Sequence, residues 1–185
     1  VLSASQDDVN ISWYENLLPP ITMYHVSSSG SDSNNGSEES PFATIQAGIN
    51  AASDGDTVLV QPGIYVENIN WPEKSNIKLI GSGAETCVID GNQITGVFTF
   101  NEDLINIIDS QTLIKGFTIK NGYRQGAGDT HGWDGCGGGI WLYGSPTLEN
   151  LIFSENRAVD AGGGIAIINE SAPILKNVIF YLMYI

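Results

Sequence analysis

Basic residues are scarce in this sequence: 7 Lys or Arg stand against 21 Asp or Glu among 185 residues, which gives a formal net charge of −14. Proteins that bind nucleic acid need clustered Lys and Arg to neutralise phosphates, and seven scattered basic residues form no such cluster. An anionic membrane surface is disfavoured for the same reason. Because no apolar run approaches the ~20 residues that span a bilayer, we expect neither nucleic acid as a partner nor a membrane span.

Cysteine is almost absent. Cys87 and Cys136 are too few for a disulfide framework and lack metal-ligand spacing. Free cysteine is mostly buried, so both are predicted to be small core or turn residues; the spacing leaves open whether they pair. No signal peptide is visible, and residues 1–6 are expected to be a stub left by processing or an artificial boundary. The acidic composition, poor in Lys and rich in Asn, Ser and Gly, favours a secreted or cell-surface protein.

Helical patterning is also rare, while turn residues are abundant: 22 glycines accompany 42% apolar residues. Residues 1–23 read as an irregular N-terminal arm, and residues 24–185 as one domain. The only helical spacing of apolar residues follows Pro41, at Phe42, Ile45, Ile49 and Ala52. It predicts one amphipathic helix over about 42–52.

Beyond this helix the apolar period changes to two. Runs of three to six residues, bounded by Gly, Asn or Pro, predict short strands with one buried face. The residues expected to point inward are Val58, Val60, Ile77, Leu79, Val88, Phe98, Phe100, Phe117 and Ile119.

The sequence repeats itself. The segment Gly137-Gly138-Gly139-Ile140 returns 25 residues later at 162–165, and 145–153 returns as 172–180. An earlier copy, at 114–119, matches 148–153 at a shift of 34 residues. This shift is longer than the spacing of the other copies, so an insertion lies between 119 and 148. Three apolar registers are kept: Ile114, Leu148 and Leu175; Phe117, Leu151 and Val178; Ile119, Phe153 and Phe180. Units of about 20 to 27 residues cannot bury their own apolar face, which predicts a stacked β-solenoid with rungs over about 56–180.

Several segments resemble a known family. Residues 24–27, 41–47, 54–60 and 62–68, together with the Gly-Gly-Gly-Ile repeats, are similar to right-handed parallel β-helix proteins of the pectate-lyase-like (pectin lyase-like) superfamily, in its secreted and surface bacterial branch. The resemblance implies an all-β, right-handed parallel β-helix whose N-terminal α-helix caps the first of several three-sided coils. It implies little about chemistry, because this scaffold carries lyases, hydrolases, adhesins and inert spacers.

Stacking has two further consequences. Asn150 should lie over Asn177 at a turn, with the side-chain amides hydrogen-bonded, whereas Gly116 one rung earlier should end this ladder. The last residues, 180–185, depart from the repeat, which suggests a truncated chain or an altered tail. An open solenoid end exposes core and unpaired backbone, so self-association through the uncapped C-terminal end is expected.

The insertion 121–135 concentrates polar and aromatic residues in one loop, where function usually resides. The candidate ligand-binding residues are Tyr123, Asp129, His131, Trp133 and Trp141. Trp141 shares a strand parity with Tyr143, so the two form either a platform for sugar rings or part of the core. Asp134 and Asp160 should be neighbours on successive rungs, and Ca²⁺ would relieve their repulsion; otherwise both are solvated turn residues.

Two functions fit these residues. The favoured one is a non-catalytic secreted or surface β-helix module, either carbohydrate-binding or structural. The alternative is a polysaccharide-degrading enzyme, more plausibly a calcium-assisted pectate-lyase-like β-eliminase than a glycoside hydrolase. Such a lyase needs a base and a cation that stabilises the enolate; Lys120 and Arg157 are the candidate bases, although no dense Asp cluster surrounds either. The charge of −14 favours neutral polysaccharide over polyuronate.

Overall fold

The structure is a computed structural model that describes residues 22–126 and 135–185. Within these ranges it contains fifteen β-strands, one α-helix and one short 3₁₀ helix, Glu102–Leu104. The helix is α1 (Ile45–Ala51). The strands are β1 (Met23–Val26), β2 (Thr57–Val60), β3 (Gly63–Val66), β4 (Ile69–Asn70), β5 (Lys78–Gly81), β6 (Cys87–Asp90), β7 (Phe98–Phe100), β8 (Leu113–Lys115), β9 (Thr118–Lys120), β10 (Tyr123–Arg124), β11 (Ile140–Leu142), β12 (Thr147–Ser154), β13 (Arg157–Ala158), β14 (Ile165–Ile167) and β15 (Ile174–Tyr181).

The described strands pair in parallel, each with its counterpart in the next rung. The first half of β12 continues a row formed by β1, β2, β5 and β8, and its second half continues a row formed by β3, β6 and β9. A separate sheet contains β4, β7, β11 and β14, and β10 pairs with β13. This arrangement of parallel strands with one helix is consistent with an all-β solenoid. No helix of the described residues is long and apolar enough to cross a membrane.

A bend divides the long strands β12 and β15 between the two rows. It falls at Asn150 (φ 52°) and Asn177 (φ 50°), where both residues adopt the left-handed conformation that Asn tolerates better than most residues. The Nδ2 of Asn177 donates a hydrogen bond of 2.9 Å to Oδ1 of Asn150. The predicted amide pair is therefore confirmed, and Gly116 (φ 79°) occupies the same corner one rung earlier.

The core lies between these rows, and the predicted registers are confirmed. Leu148 lies between Ile114 and Leu175, and Phe153 lies between Ile119 and Phe180. Every residue predicted to point inward is buried except Val88. That prediction was wrong by one residue, because Cys87 and Ile89 take the buried parity of β6 and Val88 joins the outer surface.

Helix α1 packs against the first rung through Ile45 and Ile49, both fully buried. It begins three residues later than predicted, because Phe42 is held in an extended bridge with Val26 and Thr44 acts as the N-cap. The Thr44 hydroxyl accepts the backbone N–H of Ala47 at 3.1 Å.

At the far end, β15 is paired with β12, and no other described strand pairs with it. Its inward residues are consequently exposed: Leu175 is 45% exposed and Phe180 47%, whereas Leu148 and Phe153 beneath them are fully buried. Self-association through this edge stays a prediction.

Candidate functional site

A groove runs along one edge of the solenoid, beside the turns that follow the second row of strands. It encloses about 410 Å³. Its walls combine amides, two tyrosines, one carboxylate and one guanidinium. The lining residues are Gln93, Asn121, Gly122, Tyr123, Glu155, Arg157, Tyr184 and Ile185.

Parallel stacking aligns the groove's largest side chains. Tyr123 in β10 pairs with Arg157 in β13, and Arg157 in turn bridges to Tyr184. Neighbouring parallel strands lie about 4.8 Å apart, so one aromatic, one cationic and one further aromatic side chain follow each other along the axis. The neighbouring positions of Tyr123 and Arg157 follow from the sequence, because the 34-residue shift also relates 123 to 157. The sequence does not reveal that Gln93, Glu155 and Tyr184 line the same groove.

Buried hydrogen bonds fix the floor of the groove. Asn156 is fully buried; its Oδ1 accepts the N–H of Gly122 and its Nδ2 donates to the carbonyl of Ile119, both at 2.8 Å. The turn residues beside it, Asn121 and Glu155, both have positive φ angles, of 54° and 55°. The backbone beside the groove is thus fixed by these turns and by the buried amide of Asn156.

Arg157 is the cation of the groove. Its side chain is exposed, and the guanidinium carbon lies 5.0 Å from the ring centroid of Tyr123, a cation–π contact. Within the described part of the chain no carboxylate lies within 4.0 Å of this guanidinium. Tyr184, on the next rung, is 49% exposed and offers ring surface to a ligand.

Lys120, the other candidate base, lies outside the groove lining. Its Nζ is 3.5 Å from Oδ2 of Asp90, and both side chains are partly buried. The same carboxylate accepts hydrogen bonds from Nδ2 of Asn121 at 3.0 and 3.1 Å.

Trp141 faces outward from its sheet but is half-buried and outside the groove lining. The guanidinium of Arg124 lies 5.0 Å from the centre of its ring, and Tyr143 meets it edge-on at 5.3 Å. Tyr143 itself is only 8% exposed. The two aromatics therefore form a small packed cluster instead of an open platform.

Of the two candidate calcium residues, Asp134 and Asp160, the structure describes Asp160. Asp160 is exposed, and its backbone N–H donates to the carbonyl of Gly135 at 3.0 Å, which confirms the alignment of these two positions. Asp129, His131, Trp133 and Asp134 lie outside the described residues. Among residues 22–126 and 135–185, no group of three or more His, Cys, Asp or Glu side chains could hold a metal ion.

Both cysteines are buried and free, as expected of core or turn residues. Cys87 is fully buried in β6, and Cys136 lies in a bridge to Ala161 with 1% exposure. Burial raises the pKa of the Cys87 thiol to about 11, so this thiol stays protonated at neutral pH.

Comparison with known proteins places the chain in a family without assigning it an activity. It is 30% identical over 102 residues to "Uncharacterized protein YwoF" of Bacillus subtilis (strain 168), a match over 52% of this chain and 22% of that protein. The structure is similar to that of a GH136 lacto-N-biosidase from Eubacterium ramulus, with a TM-score of 0.37, 18% identity, and coverage of 87% of this chain and 27% of that one. The chain thus spans less than a third of the length of either protein. A family model described as "Protein of unknown function (DUF1565)" matches residues 28–182, and the chain belongs to this family.

Proposed function

We propose that this chain is a non-catalytic carbohydrate-binding module and that the groove along Tyr123, Arg157 and Tyr184 is its binding site. The supporting observation is the composition of that groove. An exposed tyrosine ring offers an apolar face to a sugar ring and a hydroxyl to its substituents. The amide of Gln93 and the carboxylate of Glu155 supply the polar contacts that fix orientation in such sites.

The scaffold of this proposal is a right-handed parallel β-helix of the pectin lyase-like kind. Parallel strands in one sheet are joined by right-handed crossovers in about 98% of cases, and every rung here returns to a parallel neighbour. Repeated glycines support tight coiling: a Cβ on Gly139 would lie 2.4 Å from the carbonyl oxygen of Gly164 in the next rung.

The groove chemistry favours binding over catalysis. A calcium-assisted β-eliminase needs a base beside carboxylates that hold the cation, and among the described lining residues Glu155 supplies the one side-chain carboxylate beside Arg157. A glycoside hydrolase needs two carboxyl groups about 5–9.5 Å apart, and the described lining residues offer Glu155 without a second acidic side chain. Calcium at Asp134 and Asp160 stays a prediction, and so does secretion or display at the cell surface.

A glycan array with matched variants tests this proposal. Tyr184→Ala removes the exposed ring from the groove, whereas Tyr181→Ala removes a ring that is 63% exposed on the same rung but outside the lining. We expect the wild type to bind at least one neutral or acidic glycan, Tyr184→Ala to lose at least tenfold in affinity, and Tyr181→Ala to keep it. An array without hits, or equal losses in both variants, would overturn the proposal.

The enzyme alternative has its own readout. The protein is incubated with polygalacturonate, with and without calcium, and the absorbance of the unsaturated product is followed. A binding module gives no increase. A steady increase that disappears in Arg157→Met or Lys120→Met would replace the binding proposal with a lyase.

A further inference from the structure

We infer that the groove recognises a glycan carrying a single carboxylate on otherwise neutral sugars, and that Arg157 binds this carboxylate. The inference rests on the proposed function, because it specifies the ligand class of the same groove.

The first argument is the state of the basic residues in this acidic protein. Lys115 pairs with Glu149 at 2.7 Å, and Lys120 pairs with Asp90. Lys74 donates to backbone carbonyls at the end of α1. Arg157 is the one basic residue among the described residues that line the groove, and without a described carboxylate partner its charge is available to an anion from outside.

The second argument is the position of the guanidinium. Its contact with the Tyr123 ring reduces the freedom of a long side chain. No described residue accepts a hydrogen bond from it, so its donors are available to a ligand. A guanidinium binds carboxylate through two parallel N–H···O bonds, a geometry that a hydroxyl group cannot match.

The third argument limits the number of carboxylates. Glu155 lies in the same groove, and the net charge of −14 produces a field that repels polyanions. The guanidinium of Arg157 neutralises one ligand carboxylate, whereas the carboxylate of Glu155 would repel a second ligand carboxylate. Glu155 instead accepts hydrogen bonds from hydroxyl groups of a neutral neighbouring sugar, so polyuronate is a poor ligand.

The test is an array on which sialylated and glucuronic-acid-containing glycans are printed beside their carboxyl-reduced forms, together with oligogalacturonates. We expect at least one monocarboxylated glycan to bind tenfold or more tightly than its reduced form, and oligogalacturonates to bind more weakly than that glycan. Arg157→Met should abolish the preference. The control Lys176→Met changes the net charge equally on an exposed residue outside the groove and should keep it.

The outcomes separate this inference from the function on which it depends. If neutral and reduced glycans bind as tightly as acidic ones, and Arg157→Met changes nothing, the carboxylate inference fails while the binding module stands. Equal losses in Arg157→Met and Lys176→Met would also overturn it, because they would indicate a general charge effect. If no glycan binds at all, the proposed function fails and the inference fails with it.

Discussion

Glu67 and Lys74 hold opposite ends of α1. The carboxylate of Glu67 accepts the backbone N–H groups of Ile45 and Gln46 at 2.8 and 3.0 Å, while Nζ of Lys74 donates to the carbonyls of Asn50 and Ala52, both at 2.6 Å. These are the backbone groups that lack partners within a helix, and each side chain has the charge that the helix dipole favours at its end. A helix of seven residues, too short to be stable alone, is thereby fastened to the first rung.

We expect Lys74→Met to lower the free energy of unfolding by about 1–3 kcal/mol, the range for charged hydrogen bonds. Glu67→Gln should cost about 1 kcal/mol, since one amide oxygen replaces two acceptors. Urea unfolding measures both. Lys78→Met is the matched control, because Lys78 points outward from β5; a loss as large as that of Lys74→Met would contradict the assignment. Amide exchange in α1 should rise in Lys74→Met and stay unchanged in Lys78→Met.

The corner at Asn150 predicts different losses of stability for substitution by Gly and by Ala. Asn150→Gly loses the amide bond to Asn177 but accepts φ 52° readily, whereas Asn150→Ala also forces a left-handed conformation, which costs about 1–2 kcal/mol. Asn150→Ala should therefore be less stable than Asn150→Gly by about 1 kcal/mol in thermal or urea unfolding. Equal stabilities would show that the backbone conformation at this corner is unimportant.

Gly116 occupies the same corner, and the repeat invites Gly116→Asn as an extension of the amide ladder. The structure predicts the reverse, because a Cβ at this position would lie 2.7 Å from the carbonyl oxygen of Gly81. We expect Gly116→Asn to destabilise the protein by about 1–3 kcal/mol, as overpacking does. A stability equal to or above the wild type would indicate that the neighbouring rung can move aside.

Most of the fold could be predicted because it follows from repetition. The inward rows and the amide pair depend on register, which copies of one motif reveal directly, and the capping helix follows from the helical spacing of Ile45, Ile49 and Ala52. The facing of Val88 could not be predicted in this way, because β6 has no similar copy in the sequence. A two-residue period that starts at Val88 instead of Cys87 assigns the buried residues of β6 to the outer surface. The apolar spacing places the start of α1 too early, at Phe42, because the bridge of Phe42 to Val26 is a long-range contact that local spacing does not reveal.

The candidate site was predictable only in part, for a related reason. Tyr123 and Arg157 were identified separately, as a ligand-binding residue and a candidate base, and the structure brings them together at 5.0 Å. Their partners Gln93 and Tyr184 lie in turns whose sequences differ from rung to rung, so no repeat links them. The groove crosses several rungs, and its residues are far apart in the sequence. They become neighbours because the rungs stack along the axis.

Asn156 is expected to be the most sensitive polar residue beside the groove. Its amide is fully buried and bonds to the backbone of Ile119 in β9 and of Gly122 in the turn that follows this strand. Asn156→Ala leaves the N–H of Gly122 without its acceptor, at about 1–3 kcal/mol for an unsatisfied buried group, and removes one hydrogen bond to the carbonyl of Ile119, at about 1 kcal/mol. We expect a total loss of about 2–4 kcal/mol in urea unfolding. A loss below 0.5 kcal/mol, on the order of a neutral surface change, would mean that water replaces the amide.

Cys87 gives a prediction that depends on pH. Burial raises the pKa of its thiol from 9.0 to about 11, so between these values the unfolded chain loses the proton while the folded chain keeps it. The stabilisation is fully present below pH 9 and is lost as the pH rises through about 11. At about 1.4 kcal/mol per pH unit, the wild type should lose roughly 2–3 kcal/mol more than Cys87→Ala across this range. Tyr65, whose pKa is raised to about 12 first by burial and next by the charge of Cys87, is present in both proteins. The effect of its burial is common to both, whereas the effect of the Cys87 charge is lost in Cys87→Ala and belongs to the difference.

The same thiol should resist alkylation in the folded protein. In a Cys136→Ala background, where Cys87 is the remaining cysteine, iodoacetamide at pH 8 should react at least a hundredfold more slowly with native protein than with protein in urea, because the reactive thiolate is suppressed and access is blocked. Mass spectrometry follows the modified fraction over time. Comparable rates in the two states would mean that β6 opens readily, and the pH dependence expected from burial would then be absent as well.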